Sequence, residues 1–534
     1  MPDHFWSLPY PSQRQPVLAS NVVATSQPLA AQAGLEILRA GGNAVDAAVA
    51  TAACMAVMEP CNNGLGADNF AIVRHEGKLY GMNPSGRSPK AMTPQKLARH
   101  KQVPLLGWDP VTVPGAVSGW VALSKRFGKL PFAKLLEPAI RYASDGFPVA
   151  PLTAGMWSGA VTRFKDFPEF RKVYLPEGRS PGAGEIFRNP DVAHSLQLIA
   201  DSQGEAYYRG EIAEKFVAHA QATGGLFTME DLASHAVDWV EPISVPYRGY
   251  RVHEIPPNGQ GLAALLAMGI LSSREVQKLE PDCPDVLHLQ IEAMKLAFAD
   301  AHRYIADPKY MDVQESQLLD PAYLKRRAEL LDPERAQDPH FGTPKPGGTI
   351  FLVAADARGT MASLIQSNYM GFGSGIVIPG TGIHLQDRGA CFTLEPGHPN
   401  QIAGGKRPYH TIIPGFLTRT TSDGRDEPLM AFGVMGGFMQ PQGHLQVASR
   451  IVDFGQNPQA ALDAPRWQVM TGKHVSIEPG FEPAVYEELR RRGHELTLAP
   501  RRTIAFGAGQ AIYKLKDCYL AASEPRHDGQ AVGF

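Results

Sequence analysis

Two glycines precede a threonine at Gly347-Gly348-Thr349, and the threonine opens a run of β-branched and aromatic residues, Ile350-Phe351-Leu352-Val353. A threonine hydroxyl is a weak nucleophile until a base stands beside it. One available base is the residue's own α-amino group, released if the preceding peptide bond is cut. Such an amine ionises near pH 7.7–8.0, so a useful fraction of it is neutral at about physiological pH. Glycines ahead of the threonine allow an unusual backbone path beside the scissile carbonyl. Taken alone, the tripeptide also reads as a plain loop entering a strand. The polar, Pro-bearing stretch from Asp332-Pro333 to Pro344-Lys345-Pro346 fits either a self-cleaving junction or a surface linker.

Positioning such a nucleophile requires a rigid support. The residues from Thr349 onward predict a strand, Asp356 to Gly359 a turn, and Met361–Tyr369 a second strand, so the threonine begins a hairpin whose second arm carries Ser367. Helices are expected over 28–40, stopped by Gly41-Gly42-Asn43, and over Ala44–Met58, which is so poor in charge that it predicts burial on most sides. An extended segment follows over 70–80, broken at His75-Glu76-Gly77-Lys78. Between residues 114 and 331 apolar spacing predicts helices over 123–143, 193–200, 206–223, Gly261–Leu271 and 284–303. Beyond Thr349 come strands over 371–385, 411–418, 429–433, 475–477, 509–515 and 518–522, with helices over 442–453 and 458–464. Strands flanked on both sides by helices predict a layered α/β sandwich.

Composition narrows the function classes. The 534 residues are 44% apolar and 19% charged, as expected of a globular protein with a large core, and the net charge of −2 offers no field for nucleic acid or an anionic membrane. No apolar run is long enough to span a bilayer. Five scattered cysteines without a CxxC pair, and a start lacking a basic and then apolar leader, lead to an expectation of a cytoplasmic protein. The glycine-rich turn Asn62 to Asn69 matches no phosphate-binding motif. His288 and Glu292 lie four apart on one predicted helix, but spacing supplies no third ligand, and neither a metal nor a cofactor is assigned.

The order Thr349, Asp356, Gly359, Ser367-Asn368-Tyr369, Gly371-Phe372-Gly373-Ser374-Gly375, Gly404-Gly405-Lys406-Arg407-Pro408 and Met435-Gly436-Gly437 resembles the γ-glutamyltransferase family of N-terminal-nucleophile hydrolases. Upstream, Ser26-Gln27-Pro28-Leu29-Ala30, Gly41 to Ala48, Val113-Pro114-Gly115 and Pro257-Asn258-Gly259-Gln260-Gly261 resemble it too. The resemblance implies a four-layer αββα sandwich and self-cleavage between Gly348 and Thr349. Residues 1–348 would then form a large subunit and 349–534 a small one, in one intertwined fold. It also implies Ser367 as a hydroxyl bonded to the nucleophile, Gly436 and Gly437 as the backbone donors that stabilise the oxyanion, and an arginine near Arg87 for a substrate carboxylate. Here Arg87 follows Ser85-Gly86, displaced from the family's Arg-Glu-x-Ala-Pro form, and a structural loop salt bridge is the other reading.

The acyl pocket departs from the family. Counted from Thr349, the positions where γ-glutamyl enzymes carry Asn, Gln and Asp hold Tyr369, Arg388 and Cys391, and the family's Ser-Ser pair is replaced by His410-Thr411. Cys391 cannot pair with an ammonium as a carboxylate does, and Arg388 would repel it. The expectation is an autoprocessed threonine amidohydrolase acting on a small carboxylate-bearing amide through an acyl-enzyme on Thr349. Glutathione or γ-glutamyl hydrolysis and transfer, a glutaryl-type (cephalosporin) acylase, an oxamate-type amidohydrolase and a silent, unprocessed binding protein remain alternatives. Assembly into a homo-oligomer is left open.

Overall fold

Strand Gly348–Ala355 divides its side chains between two apolar environments. Ile350, Leu352 and Ala354 pack in a cluster with Ala30, Ile37, Ala48 and Ala52 of helices Pro28–Arg39 and Ala44–Met58. Phe351, Val353 and Ala355 point the other way, against Phe416, Ala431 and Ile512 of a second sheet. The period-2 alternation of a strand thus meets apolar surroundings on both faces, which is why the sequence there is a continuous apolar run. The computed structural model describes residues 13–339, 348–500 and 503–534; the Pro344 to Gly347 part of the predicted junction lies outside them.

The first sheet has seven strands in the spatial order Gln530–Gly533, Val22–Thr25, Gly348–Ala355, Met361–Tyr369, Asp68–His75, Lys78–Asn83 and Asp238–Val240. The second, also of seven, runs Val17–Ala19, Tyr519–Ser523, Ala508–Lys514, Asp426–Met435, Gly415–Thr420, Tyr250–Glu254 and Ile243–Tyr247. Every pairing in both is antiparallel. Strands that precede Gly348 in the chain lie beside strands that follow it at five places: Val17–Ala19 on Tyr519–Ser523, Val22–Thr25 on both of its neighbours, Asp68–His75 on Met361–Tyr369, and Tyr250–Glu254 on Gly415–Thr420.

A third cluster covers the outer face of the second sheet, where Leu262 and Leu265, Ile291 and Met294, and Leu445 come from helices Gly261–Leu271, Pro284–Tyr304 and Met439–Val452. Three apolar interfaces therefore bond four layers, helix on sheet on sheet on helix. This is the αββα sandwich. All 15 residues of Ala44–Met58 are buried, Asn43 and Asp46 close a capping box at its start, and Ala44 N donates to Asp356 Oδ2 at 2.9 Å, tying the helix to the turn of the hairpin that Thr349 begins. Among the described residues no helix is long and apolar enough to cross a membrane.

Four readings of the sequence change. The helix expected over 123–143 is two, Ala116–Phe127 and Phe132–Asp145, divided where Gly128 and Pro131 interrupt the pattern. That over 206–223 is likewise two, Glu205–Tyr208 and Glu211–Thr223. Between the helices expected over 206–223 and Gly261–Leu271, where no strand was expected, the chain forms the hairpin Ile243–Tyr247 and Tyr250–Glu254, an edge of the second sheet. Residues 371–385 are mostly turns with the short pair Val377–Ile378 and Ile383–His384, because Gly373, Gly375, Gly380 and Gly382 all take positive φ.

Candidate active site

Thr349 lies fully buried at an irregularity in its hairpin, since the register passes from Gly348 opposite Tyr369 to Ile350 opposite Gln366 and leaves the threonine unpaired. Its Oγ1 is 3.0 Å from Ser367 Oγ. Ser367 Oγ has three further neighbours: it donates to Gly348 O at 2.6 Å and accepts from Tyr369 N at 2.8 Å and Arg388 Nη2 at 3.1 Å. Tyr369 reaches this position with φ of 76°. A left-handed backbone costs a non-glycine residue on the order of 1–2 kcal/mol. Here it aims the amide at the serine.

Arg388 sits in a short turn, Arg388–Cys391, with its side chain fully buried. Nη1 donates to Thr411 Oγ1 at 2.7 Å and approaches Cys391 Sγ at 3.9 Å, while the Tyr369 ring lies 4.8 Å from the guanidinium carbon. Nε has no hydrogen-bond partner, and among the described residues the guanidinium makes no ion pair. Burying an unpaired cation is costly. The arrangement is suited to an anionic guest.

Gln260 connects this cluster to the glycine pair. Its Nε2 donates to Thr411 O at 2.5 Å and Gly437 O at 2.9 Å, and its Oε1 accepts from Tyr409 Oη at 3.0 Å. Gly436 and Gly437 take φ of 129° and 61°, and Gly436 O accepts from Met439 N at 3.0 Å, so the pair forms the turn that enters helix Met439–Val452. With the Gly436 carbonyl tied down, the peptide plane that carries the Gly437 N–H is fixed beside a helix N-terminus, which favours negative charge.

Two predicted substrate residues have other partners. His410 Nε2 donates to Asp68 Oδ2 at 3.1 Å, both fully buried. Burial, then the charges of Arg388 and Arg407, hold the imidazole well below its ordinary range, so it is neutral and its N–H belongs to Asp68. Asp68 is itself pushed up to about 7 by burial, against the pull of Arg388 and of the Gly115 amide. Arg87 Nη1 bonds Asp307 Oδ2 at 2.6 Å and Gly405 O at 3.2 Å. It lines a separate small cavity with Lys90, His235, Asp238 and Arg407. Of its two readings the structure displays the loop salt bridge.

Some groups at the site have no role legible in the sequence. Glu59 is buried, accepts from Ser26 Oγ at 2.9 Å and Asn62 Nδ2 at 2.5 Å, and is pushed up to about 7 by burial. Asn62 Oδ1 lies 2.8 Å from where a Cβ on Gly348 would stand. Asp387 accepts from Met370 N at 2.9 Å and is likewise raised to about 7 by burial. Asn62, Asp68 and Gln260 all fall in glycine-bearing motifs, the only local signal they give. The pair His288 and Glu292 does meet a third group, His494, whose Nε2 is 2.8 Å from His288 Nδ1. However, the Lys295 ammonium occupies Glu292 Oε1 at 2.8 Å, where a cation would bind.

A model of the gamma-glutamyltranspeptidase family matches residues 30–534. A glutathione hydrolase-like proenzyme of Bacillus subtilis is 35% identical, covering 96% of this chain and 98% of its own length. An oxamate amidohydrolase proenzyme of Klebsiella pneumoniae is also 35% identical, over 95% of this chain and 97% of its own. The crystal structure of a cephalosporin acylase from Bacillus halodurans superposes with a TM-score of 0.94 at 50% identity, over 99% of this chain and 98% of that one.

Proposed function

Since the chain belongs to the gamma-glutamyltranspeptidase family of N-terminal-nucleophile hydrolases, we propose that it is made as a precursor, is cut between Gly348 and Thr349, and then hydrolyses a small amide whose acyl part bears a carboxylate. The proenzyme names of its relatives support the cut. In the mature form the Thr349 α-amine takes the hydroxyl proton as Oγ1 attacks the substrate carbonyl. The tetrahedral oxyanion is held by the N–H groups of Gly436 and Gly437, and as it collapses the substrate nitrogen leaves as an amine carrying the proton handed on by the Thr349 α-ammonium. Water then opens the Thr349 ester.

The observation that carries the substrate reading is Arg388, a buried cation that makes no ion pair among the described residues and donates to the serine beside Thr349. A substrate carboxylate there gains a charge-assisted contact, whereas an α-ammonium meets repulsion and finds at Cys391 no acid to pair with. Oxamate-type and glutaryl-type amides both satisfy this chemistry, and the Klebsiella and B. halodurans relatives support them. The B. subtilis relative supports a glutathione-type role instead. Five cysteines, all free, support a reducing, cytoplasmic setting.

The test is a denaturing gel of purified protein, N-terminal sequencing of the smaller band, and a panel of oxamate, glutaryl and γ-glutamyl amides. Two fragments, the smaller beginning at Thr349, and a higher kcat/KM for the acids without an ammonium are expected. A γ-glutamyl preference of about tenfold, about 1.4 kcal/mol in transition-state binding, overturns the substrate reading and restores the glutathione-type one.

A further inference from the structure

The hydrogen bonds around Ser367 assign its one proton. Tyr369 N–H and the Arg388 guanidinium can only donate, and Gly348 O can only accept. The serine therefore receives the first two and directs its own hydrogen to the Gly348 carbonyl, its shortest contact at 2.6 Å. Its lone pairs are occupied by two donors, one of them cationic. It is poorly placed to remove a proton from Thr349 and well placed to polarise the bond that Thr349 attacks.

From this geometry we propose that Arg388 acts in the maturation of the protein before any substrate arrives: through Ser367 it polarises the Gly348 carbonyl and so promotes self-cleavage. The inference rests on cleavage at Gly348–Thr349. Arg388 is here a positioning residue, acting through the serine that touches the reacting carbonyl. A positive charge on the far side of Ser367 Oγ makes its O–H a stronger donor, and the effect grows as charge develops on Gly348 O.

The electron count closes without a co-reactant other than water. A bond forms from Thr349 Oγ1 to the Gly348 carbonyl carbon, and the π pair moves onto Gly348 O, where Ser367 O–H stabilises it. Collapse of that oxyanion breaks the bond to Thr349 N, which leaves as an amine carrying the proton lost by Oγ1. Water then adds hydroxyl to the Gly348 carbon and returns a proton to Oγ1. The products are the Gly348 carboxyl group and a free N-terminal Thr349.

Nothing else in the setting supplies this polarisation as directly. Asn62 stands beside Gly348, but its amide nitrogen is bonded to Glu59. His410 is neutral and committed to Asp68. Among the described residues Arg388 alone combines a full charge, complete burial and contact with the serine.

Cell-free synthesis of the full chain, followed on denaturing gels, reads the rate of cleavage. Wild type giving a fragment that starts at Thr349, with Thr349→Ala remaining whole, establishes the underlying reading, and its failure would show in these two chains alone. Given that cut, Arg388→Met is expected to cleave about 10–100-fold more slowly, as befits a group one bond removed from an oxyanion donor. Its uncut precursor should melt within a few degrees of the Thr349→Ala precursor. Arg388→Lys should recover part of the rate, and methylguanidinium should accelerate cleavage of Arg388→Ala. Arg388→Met cleaving within about threefold of wild type, too small a change for a lost charge-assisted bond, overturns the proposal. Should Arg388→Met not fold, Arg388→Lys decides: cleavage about tenfold slower than wild type supports the proposal, and the wild-type rate, with no response of Arg388→Ala to methylguanidinium, overturns it.

Discussion

Cys391 Sγ lies 3.9 Å from Arg388 Nη1, a thiol at the distance where a carboxylate would form an ion pair. Burial raises the thiol above its ordinary range, so it remains neutral and leaves the guanidinium charge available. Cys391→Asp places an acid there. It should both engage Arg388 and offer a partner to an α-ammonium, shifting kcat/KM from glutaryl or oxamate amides toward γ-glutamyl amides by about tenfold or more, the scale of a single charge-assisted contact. An unchanged ratio in processed Cys391→Asp enzyme would remove the pair from substrate selection.

Ser367→Ala deletes the junction of four contacts while leaving the strand apolar on that side. The variant should fold, because small residues are tolerated within a buried strand, yet self-cleave and turn over about 10²–10³-fold more slowly, the usual effect of losing a donor at a developing oxyanion. Rates of cleavage and of amide hydrolysis, measured separately, check it. Undiminished values for both would leave Ser367 a plain strand residue.

Gly348→Ala tests the fit of the scissile carbonyl. A methyl group at this position would stand 2.8 Å from Asn62 Oδ1 and 3.1 Å from Cys61 O. The latter is held by Phe372 N and cannot withdraw. The strand must shift, and displacement of about 1 Å at a reacting carbonyl costs about 10²-fold. Slow appearance of the small fragment, with normal hydrolysis once it has formed, is the expected pattern.

Stability should fall as pH rises from about 4 to neutrality. Burial lifts Asp68 and Asp387 from 3.8, and Glu59 from 4.5, to about 7. Each holds its proton more tightly folded than unfolded, so the folded chain carries more protons between about pH 4 and 7. Unfolding free energy contributed by these groups therefore decreases across that window and levels above it. Ser26, Asn62 and, at a distance, Asp528 are the groups that face Glu59. In melting curves of the Thr349→Ala precursor, adding Glu59→Gln should flatten the decline. A difference between the two chains that does not vary with pH would contradict the raised carboxyl.

Where a segment's environment was uniform, the sequence disclosed it. Ala44–Met58 is buried on every side and carries almost no charge. Met361–Tyr369 is buried at all nine positions and bounded by turn residues. The hairpin Ile243–Tyr247 and Tyr250–Glu254 was obscured because its strands are short and Pro246 stands within the edge strand, although Ile243, Val245 and Tyr247 alternate with Ser244 and Pro246. Thr349 and Ser367 were legible through the chain-long order of motifs that carries the family resemblance, since locally Gly347-Gly348-Thr349 also reads as a loop entering a strand. The joining of Arg388, Thr411, Gln260 and Gly437 was not, because those contacts span up to 177 residues of sequence. His410 illustrates the limit in the other direction: its position suggested a substrate ligand, while Asp68, 342 residues away, already holds its N–H.

The five ladders that join strands before Gly348 to strands after it give the proposed self-cleavage a direction in time. While the chain is whole, the nascent segments meet as parts of one molecule, and closing a long loop costs only a slowly growing entropy. Once the Gly348–Thr349 bond is cut, the same arrangement becomes a bimolecular problem in which each fragment alone exposes unpaired strand edges that favour aggregation. On the proposed cut, the instructions for assembly reside in a covalent state that the active protein no longer has. A cut molecule that unfolds is then expected not to refold, and fragments produced from two separate messages should seldom find the active form.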